Sequence, residues 1–228
     1  MGRLTQPGVY PNAAPGRLAA NIRALDPLRV EPLAAKAART FVDFDTATFL
    51  RLSIPEEGKL FPDTYFVPRD YTALELFTLL RNTFDTQTKD LESAILAHPL
   101  TLEEIVTLAS LIEREANSST SMRMVSGILQ NRLKIGMALQ ADASMEYVLE
   151  KPLSELTPED LKIDSPYNTY LYPGLPPTAI SNPGLKAITA VLEPTRSNYL
   201  FYITGNDGQF YYAEDFDEHR INIARYLR

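Results

Sequence analysis

Apolar positions recur with a helical period most clearly after Thr101. Ile105, Leu108, Ala109, Ile112 and Ala116 fall on one face of a roughly 3.6-residue repeat. Thr101 stands three residues before Glu104, the spacing of a capping box, so a helix is predicted to begin there. Tyr71 to Phe84 predicts a second amphipathic helix. Ser121 to Leu133 predicts a third, with Met124, Val125, Ile128, Leu129 and Arg132 on one side and Gly136 at its C′ position. Residues 18–40 carry short helical patterns interrupted at Pro27 and Pro32, and residues 41–52 read as helix or turn. Pro55 to Asp70 is too rich in proline for a helix. A short strand is expected between Leu60 and Val67, with Gly58 marking positive φ or close backbone approach. Gln140, Asp142 and Ser144 alternate as on an extended segment. A short helix is expected from Leu153 to Leu161 and another from Leu185 to Leu192. Residues 164–184 hold five prolines and read as a long loop whose tyrosines argue for order. Tyr199–Thr204 and Gln209–Ala213 flank Gly205-Asn206-Asp207-Gly208 as a β-hairpin, and Phe216 to Leu227 closes the chain as a helix. The pattern predicts an α+β fold, mostly helical, with a small antiparallel sheet that includes a C-terminal hairpin.

Composition narrows the chemistry. The 228 residues carry a net charge of −7, which disfavours nucleic acid as a partner. Cysteine is absent, so disulfides, zinc–thiolate sites and thiol nucleophiles are excluded. Neither a glycine-rich phosphate loop nor a G-x-S-x-G elbow occurs, and His98 and His219 stand far apart. No metal or organic cofactor is expected. The first 17 residues lack the apolar core of a signal peptide and no apolar run reaches membrane-spanning length. The expectation is a cytosolic protein or a piece of a longer one.

What remains is carboxylate chemistry beside amides and aromatics. Glu113 and Glu115 end the central apolar stripe. A carboxyl beside buried apolar surface loses solvation and can hold a proton near neutral pH, which a general acid needs. Equally, charges at a helix end are commonly just solvated flanks. The helical period puts the two glutamates on opposite sides of the stripe and does not choose between them. Asn131, Gln140, Asn168 and Asn182 can hydrogen-bond hydroxyl and acetamido groups, and Tyr65, Tyr147, Tyr167 and Tyr170 offer flat faces with polar tips. The set suits a sugar polymer.

Five segments in order carry a resemblance: EEGKLFPDTY (56–65), LASLIEREA (108–116), NRLKIGMALQADASMEY (131–147), SPYNTYLYPGLPP (165–177) and NPG (182–184). They are similar to the motifs of the YceG-like family, over roughly residues 53 to 228. The resemblance implies a lysozyme-like transglycosylase domain at 53–228, with 1–52 a tail and helical segment left from a longer N-terminal region. It implies endolytic cleavage of the MurNAc–GlcNAc bonds of nascent peptidoglycan strands by one glutamate, leaving 1,6-anhydro ends. Glu115, the last acid before a small residue, is expected to be that glutamate, with Glu113 as second or alternative acid. Glu57, Asn131, Gln140, Asp142, Tyr147, Tyr167, Asn168 and Tyr170 are expected to bind substrate, Asn131 by bracing the cleft. Implied partners are glycan strands and peptidoglycan synthases (penicillin-binding proteins). The implied location is the extracytoplasmic face of the bacterial cytoplasmic membrane, reached through an N-terminal anchor not evident in residues 1–52. The family commonly has histidine in the hairpin where Gln209 stands. Two other readings are a hydrolase pairing Glu115 with Glu57 or Asp142, and a non-catalytic glycan-binding module.

Overall fold

A computed structural model describes residues 19–23 and 29–227. Strand β1 (Ala19–Arg23) leads to helices α1 (Val30–Thr40) and α2 (Thr46–Ser53), strand β2 (Thr64–Pro68), and helices α3 (Ala73–Thr88) and α4 (Glu92–Ala97). Helices α5 (Leu102–Glu115), α6 (Ser119–Lys134), α7 (Asp142–Leu149) and α8 (Leu185–Leu192) follow. Strands β3 (Phe201–Thr204) and β4 (Phe210–Ala213) and helix α9 (Phe216–Tyr226) complete the order. The fold is α+β and mostly helical, and among the described residues there are two separate two-stranded antiparallel sheets. β1 pairs with β2, Ala19 opposite Pro68 and Arg23 opposite Thr64. β3 and β4 form the hairpin, Phe201 opposite Ala213 and Thr204 opposite Phe210. Among the described residues no single helix is long and apolar enough to cross a membrane.

The caps explain where the helices start. At α5 the Glu104 amide donates to Thr101 Oγ1 (3.3 Å) and the Thr101 amide donates back to the Glu104 carboxylate (2.8 Å). Thr72 with Glu75 does the same for α3, and Ser118 with Ser121 for α6. Gly136, just past α6, has φ +67°, the left-handed conformation its C′ position predicts.

Buried side chains form two clusters. The larger gathers α5, α6 and α8 with Leu139, Ala141 and Ala143; the smaller gathers α1, α2, β2 and α3 around Phe49, Tyr65 and Leu76. Gly58 lies where they meet. Its φ is +96°, and a Cβ there would sit 2.5 Å from Val106 Cγ1 and 2.6 Å from Ala179 Cβ. Asn182 Oδ1 accepts from the Gly58 and Leu60 amides at 2.8 and 3.0 Å, tying the loop before β2 to the loop before α8.

Three local expectations differ from the structure. Within residues 18–40 the described residues hold strand β1 and then helix α1. Pro32 falls in the first turn of α1, where a missing N–H costs no intrahelical bond, and Pro27 lies outside the described residues. The alternation at 140–144 is not extended: α7 begins at Asp142, because Ser144 Oγ bonds Ala141 O (2.9 Å) and Thr169 Oγ1 (2.9 Å) and draws this turn onto the 165–170 loop. The helix expected over Leu153–Leu161 is two short 3-10 turns, Leu153–Glu155 and Asp160–Lys162, the second held by Thr157 N–H and Oγ1–H donating to Asp160 Oδ2. Residues 1–17, read as a tail, lie outside the described residues.

Candidate active site

The last turn of α5 sends its two glutamates in different directions. Glu115 is half-buried and meets the hairpin: Tyr202 Oη donates to its Oε2 at 2.9 Å. The Ala143 amide, in the first turn of α7, lies near enough to favour its charged form. Asp142 and the Arg132 guanidinium lie close enough to act on its charge. Burial pushes the Glu115 carboxyl above the usual carboxylate range and the Asp142 charge adds to this, while Tyr202, the Ala143 amide and Arg132 oppose. Around it, Tyr170 Oη donates to Asp142 Oδ1. Burial and the two carboxylates raise both phenols, Tyr170 and Tyr202, and so favour their protonated forms.

Arg132 organises this cluster from α6. It is 5% exposed. Its Nε donates to Leu200 O at 2.6 Å, just before β3, and its Nη1 to Leu139 O, just before α7. The two segments that bring Tyr202 and Asp142 to Glu115 are thus fixed to one side chain.

Glu113 points elsewhere. Its Oε2 accepts from the Gly184 amide at 2.9 Å, at the N-cap of α8, where a negative charge meets the positive end of a helix dipole. Burial raises its pKa, against the Gly184 amide and Lys186.

The other candidates divide among different places. Asp142 and Tyr170 gather at Glu115. Glu57, Tyr147 and Tyr167 form a second group between the two buried clusters. Glu57 accepts from the Val30 amide (3.0 Å) and from Tyr147 Oη (3.2 Å), and the Tyr147 and Tyr167 rings lie 4.9 Å apart. Burial raises the Glu57 pKa, with Glu31 adding. Asn168 is fully buried: its Nδ2 donates to Leu161 O and Ile163 O and its Oδ1 accepts from the Tyr170 amide, so it shapes the loop. Asn131 Nδ2 donates to Ser197 O and Tyr199 O, holding the approach to the hairpin. Gln140 is exposed, with φ +50°. Sequence reasoning missed Tyr202 and Arg132. Arg132 left a signal, a cation on an otherwise apolar helix face; Tyr202, one of 12 tyrosines, left none.

Two hollows open beside α7. One of about 250 Å³ is lined by Asp142, Leu156, Thr157, Pro158 and Leu161. The other, about 480 Å³, lies between α1 and α7 and has Ala143, Arg114 and Tyr147 among its walls.

A carboxyl raised by burial at a helix end, beside two phenols, a second carboxylate and a buried arginine, is a candidate acid–base site on a mostly helical α+β scaffold. The YceG-like family matches residues 16–225, and the chain belongs to it. The chain is 32% identical over 175 residues to the endolytic murein transglycosylase of Bacillus subtilis (strain 168), covering 76% of this chain and 48% of that protein. It is 32% identical over 177 residues to the endolytic murein transglycosylase of Streptococcus pneumoniae (strain D39), covering 75% of this chain and 32% of that one. It therefore spans half or less of the length of these relatives. The crystal structure of a YceG-like protein from Listeria monocytogenes superposes with a TM-score of 0.74 at 26% identity, covering 92% of this chain and 76% of that one.

Proposed function

We propose that this chain carries the catalytic centre of an endolytic peptidoglycan lytic transglycosylase and that Glu115 is its general acid and base. The observation that carries the reading is the Glu115 carboxyl, raised by burial yet held by a hydrogen bond from Tyr202. The names of the relatives point to the same substrate. Protonated Glu115 gives its proton to the glycosidic oxygen as the MurNAc C1–O bond breaks. The 6-hydroxyl of that MurNAc attacks C1 and its proton passes to the Glu115 carboxylate, which regenerates the acid. The product is a 1,6-anhydro end and no water is consumed. One carboxyl is enough because the nucleophile is already part of the substrate, so its orientation replaces a second catalytic group. Tyr170 and Asp142, joined to each other beside Glu115, are placed to hold sugar hydroxyls. Peptidoglycan synthases as partners and the extracytoplasmic membrane face as location follow from the resemblance.

The test is mass spectrometry of uncrosslinked glycan strands after incubation. The parent is expected to leave anhydro ends, and Glu115→Gln to lose about 10²- to 10⁴-fold in rate. Retained cutting in Glu115→Gln with loss in Glu113→Gln would transfer the acid role to Glu113. Asp142 beside Glu115 favours one other reading, a two-carboxylate hydrolase. Reducing ends, one water heavier than anhydro ends, would establish it.

A further inference from the structure

The two hollows flank the first turn of α7, and Glu115 is in touch with both sides of it. Asp142, whose charge acts on Glu115, lines the smaller hollow, while Ala143, whose amide lies near Glu115, lines the larger. Arg114, the chain neighbour of Glu115, reaches into the larger hollow as well. At about 480 Å³ this cavity is large enough for a ligand of several residues.

Its lining is dense in charges of both signs. Three cations (Arg29, Arg114 and Lys151) face three carboxylates (Glu31, Glu146 and Glu150) over apolar walls that include Pro32, Ala35 and Ile180. The whole chain has 22 Lys and Arg against 29 Asp and Glu, so this cavity is locally richer in positive charge. The charges pair across it: Arg114 Nη2 with Glu146, and Arg29 with Glu31 and Glu150, each at 3.7 Å. Glu146 and Arg114 remain 27% and 34% exposed. Ion pairs with that much solvent contribute little, so a ligand carboxylate can replace Glu146 on Arg114 without a large penalty. A neutral saccharide could use such a lining only through hydrogen bonds and ring contacts and would leave its charges unmatched. A short peptide with free carboxylates and an ammonium group would match them.

On the reading that Glu115 cuts peptidoglycan, such a peptide is part of the substrate. It hangs from the 3-position of the MurNAc whose C1 reacts. We propose that the hollow between α1 and α7 is a subsite for this peptide stem, with Arg114 receiving a stem carboxylate and Glu150 the ammonium group. The glycan then occupies the Asp142 side of α7 and its stem the Ala143 side. The chain reads the peptide as well as the sugar.

The experiment has two arms. The first compares cleavage of stem-bearing strands with cleavage of strands stripped of stems by an amidase. The parent is expected to favour stem-bearing strands about tenfold in kcat/KM, one decade of binding discrimination. Arg114→Ala should bring that ratio towards one. The second arm needs no cutting: NMR titration with the synthetic tetrapeptide L-Ala-γ-D-Glu-L-Lys-D-Ala. Arg114→Ala should weaken binding, whereas Glu146→Gln, which removes the competing carboxylate, should tighten it several-fold. Loss of fold cannot produce that opposite pair of signs. Equal cutting of both strands together with no tetrapeptide binding would overturn the subsite and leave the transglycosylase reading standing. Tetrapeptide binding that follows the two predicted signs in a parent that cuts neither strand would keep the subsite and sink the cutting reaction. Binding indifferent to both substitutions would overturn the subsite.

Discussion

At Glu115 two effects of opposite sign meet, and the balance can be altered one atom at a time. Burial and Asp142 favour the protonated carboxyl; the Tyr202 hydroxyl favours the anion. Tyr202→Phe deletes one oxygen and leaves the ring, so the Glu115 pKa should rise. A hydrogen bond to a charged group is worth about 1.5–3 kcal/mol, and one pKa unit about 1.4. On the proposed role Glu115 must be protonated to act, so activity is expected to fall as pH rises through its pKa. In Tyr202→Phe that falling limb is expected to move up by about one pH unit, read from kcat/KM against pH. An unmoved limb would mean that the phenol does not govern the acid. At this scale the sequence was informative about residue types and poor about partners. IEREA marked two glutamates, and periodicity correctly set them on different sides of α5, but nothing local said that one would meet Gly184 and the other a hairpin tyrosine 87 residues away. Asn168 and Asp142 stand in neighbouring motifs, yet one is spent on backbone carbonyls and the other lies beside Glu115. Side-chain chemistry alone does not separate those fates.

Among the elements, the helices with strong stripes and capping boxes were legible because their signals are local. α7 was not. Its start is fixed by Ser144 and Thr169, a contact between segments 25 residues apart, so the short-range alternation of polar residues misled. β1 was missed because its partner β2 lies more than forty residues on, and residues 19–23 read as helix without it. α6 makes a sharper prediction. Gly127 passes so near the loop after α8 that an added Cβ would lie 2.1 Å from Thr195 O. That atom is backbone, and Thr195 is itself held by its amide donating to Arg123 O at 2.9 Å. Gly127→Ala gains helix propensity and still should lose about 1–3 kcal/mol through overpacking. A thermal melt checks it, and unchanged or higher stability would show that the loop yields freely.

For the whole molecule the raised carboxyls have a common consequence. Glu57, Glu113 and Glu115 all hold protons more tightly folded than unfolded. Such groups give stability that is fully present below the unfolded value of about 4.5 and is lost as pH rises through the folded value. His98 and His219, lowered by burial, act in the opposite sense near neutrality, so the parent's curve alone mixes the two. The difference between parent and Glu115→Gln isolates one carboxyl. The variant is expected to gain on the parent in melting temperature as pH rises from about 5 to 8. A constant difference would mean that Glu115 titrates the same way folded and unfolded.

Arg132 carries a last consequence, for how the molecule opens. Its guanidinium ends two lengths of chain that are distant in sequence, at Leu139 and at Leu200. Neither can peel away without stranding a buried cation, so the hairpin and the first turn of α7 should breathe as one cooperative unit. In hydrogen exchange the amides of residues 200–213 and 141–145 are expected to share a single opening free energy. Arg132→Met should split them into two. The site would then be assembled or absent as a whole, with no half-open form in which Glu115 keeps its helix but has lost its tyrosine.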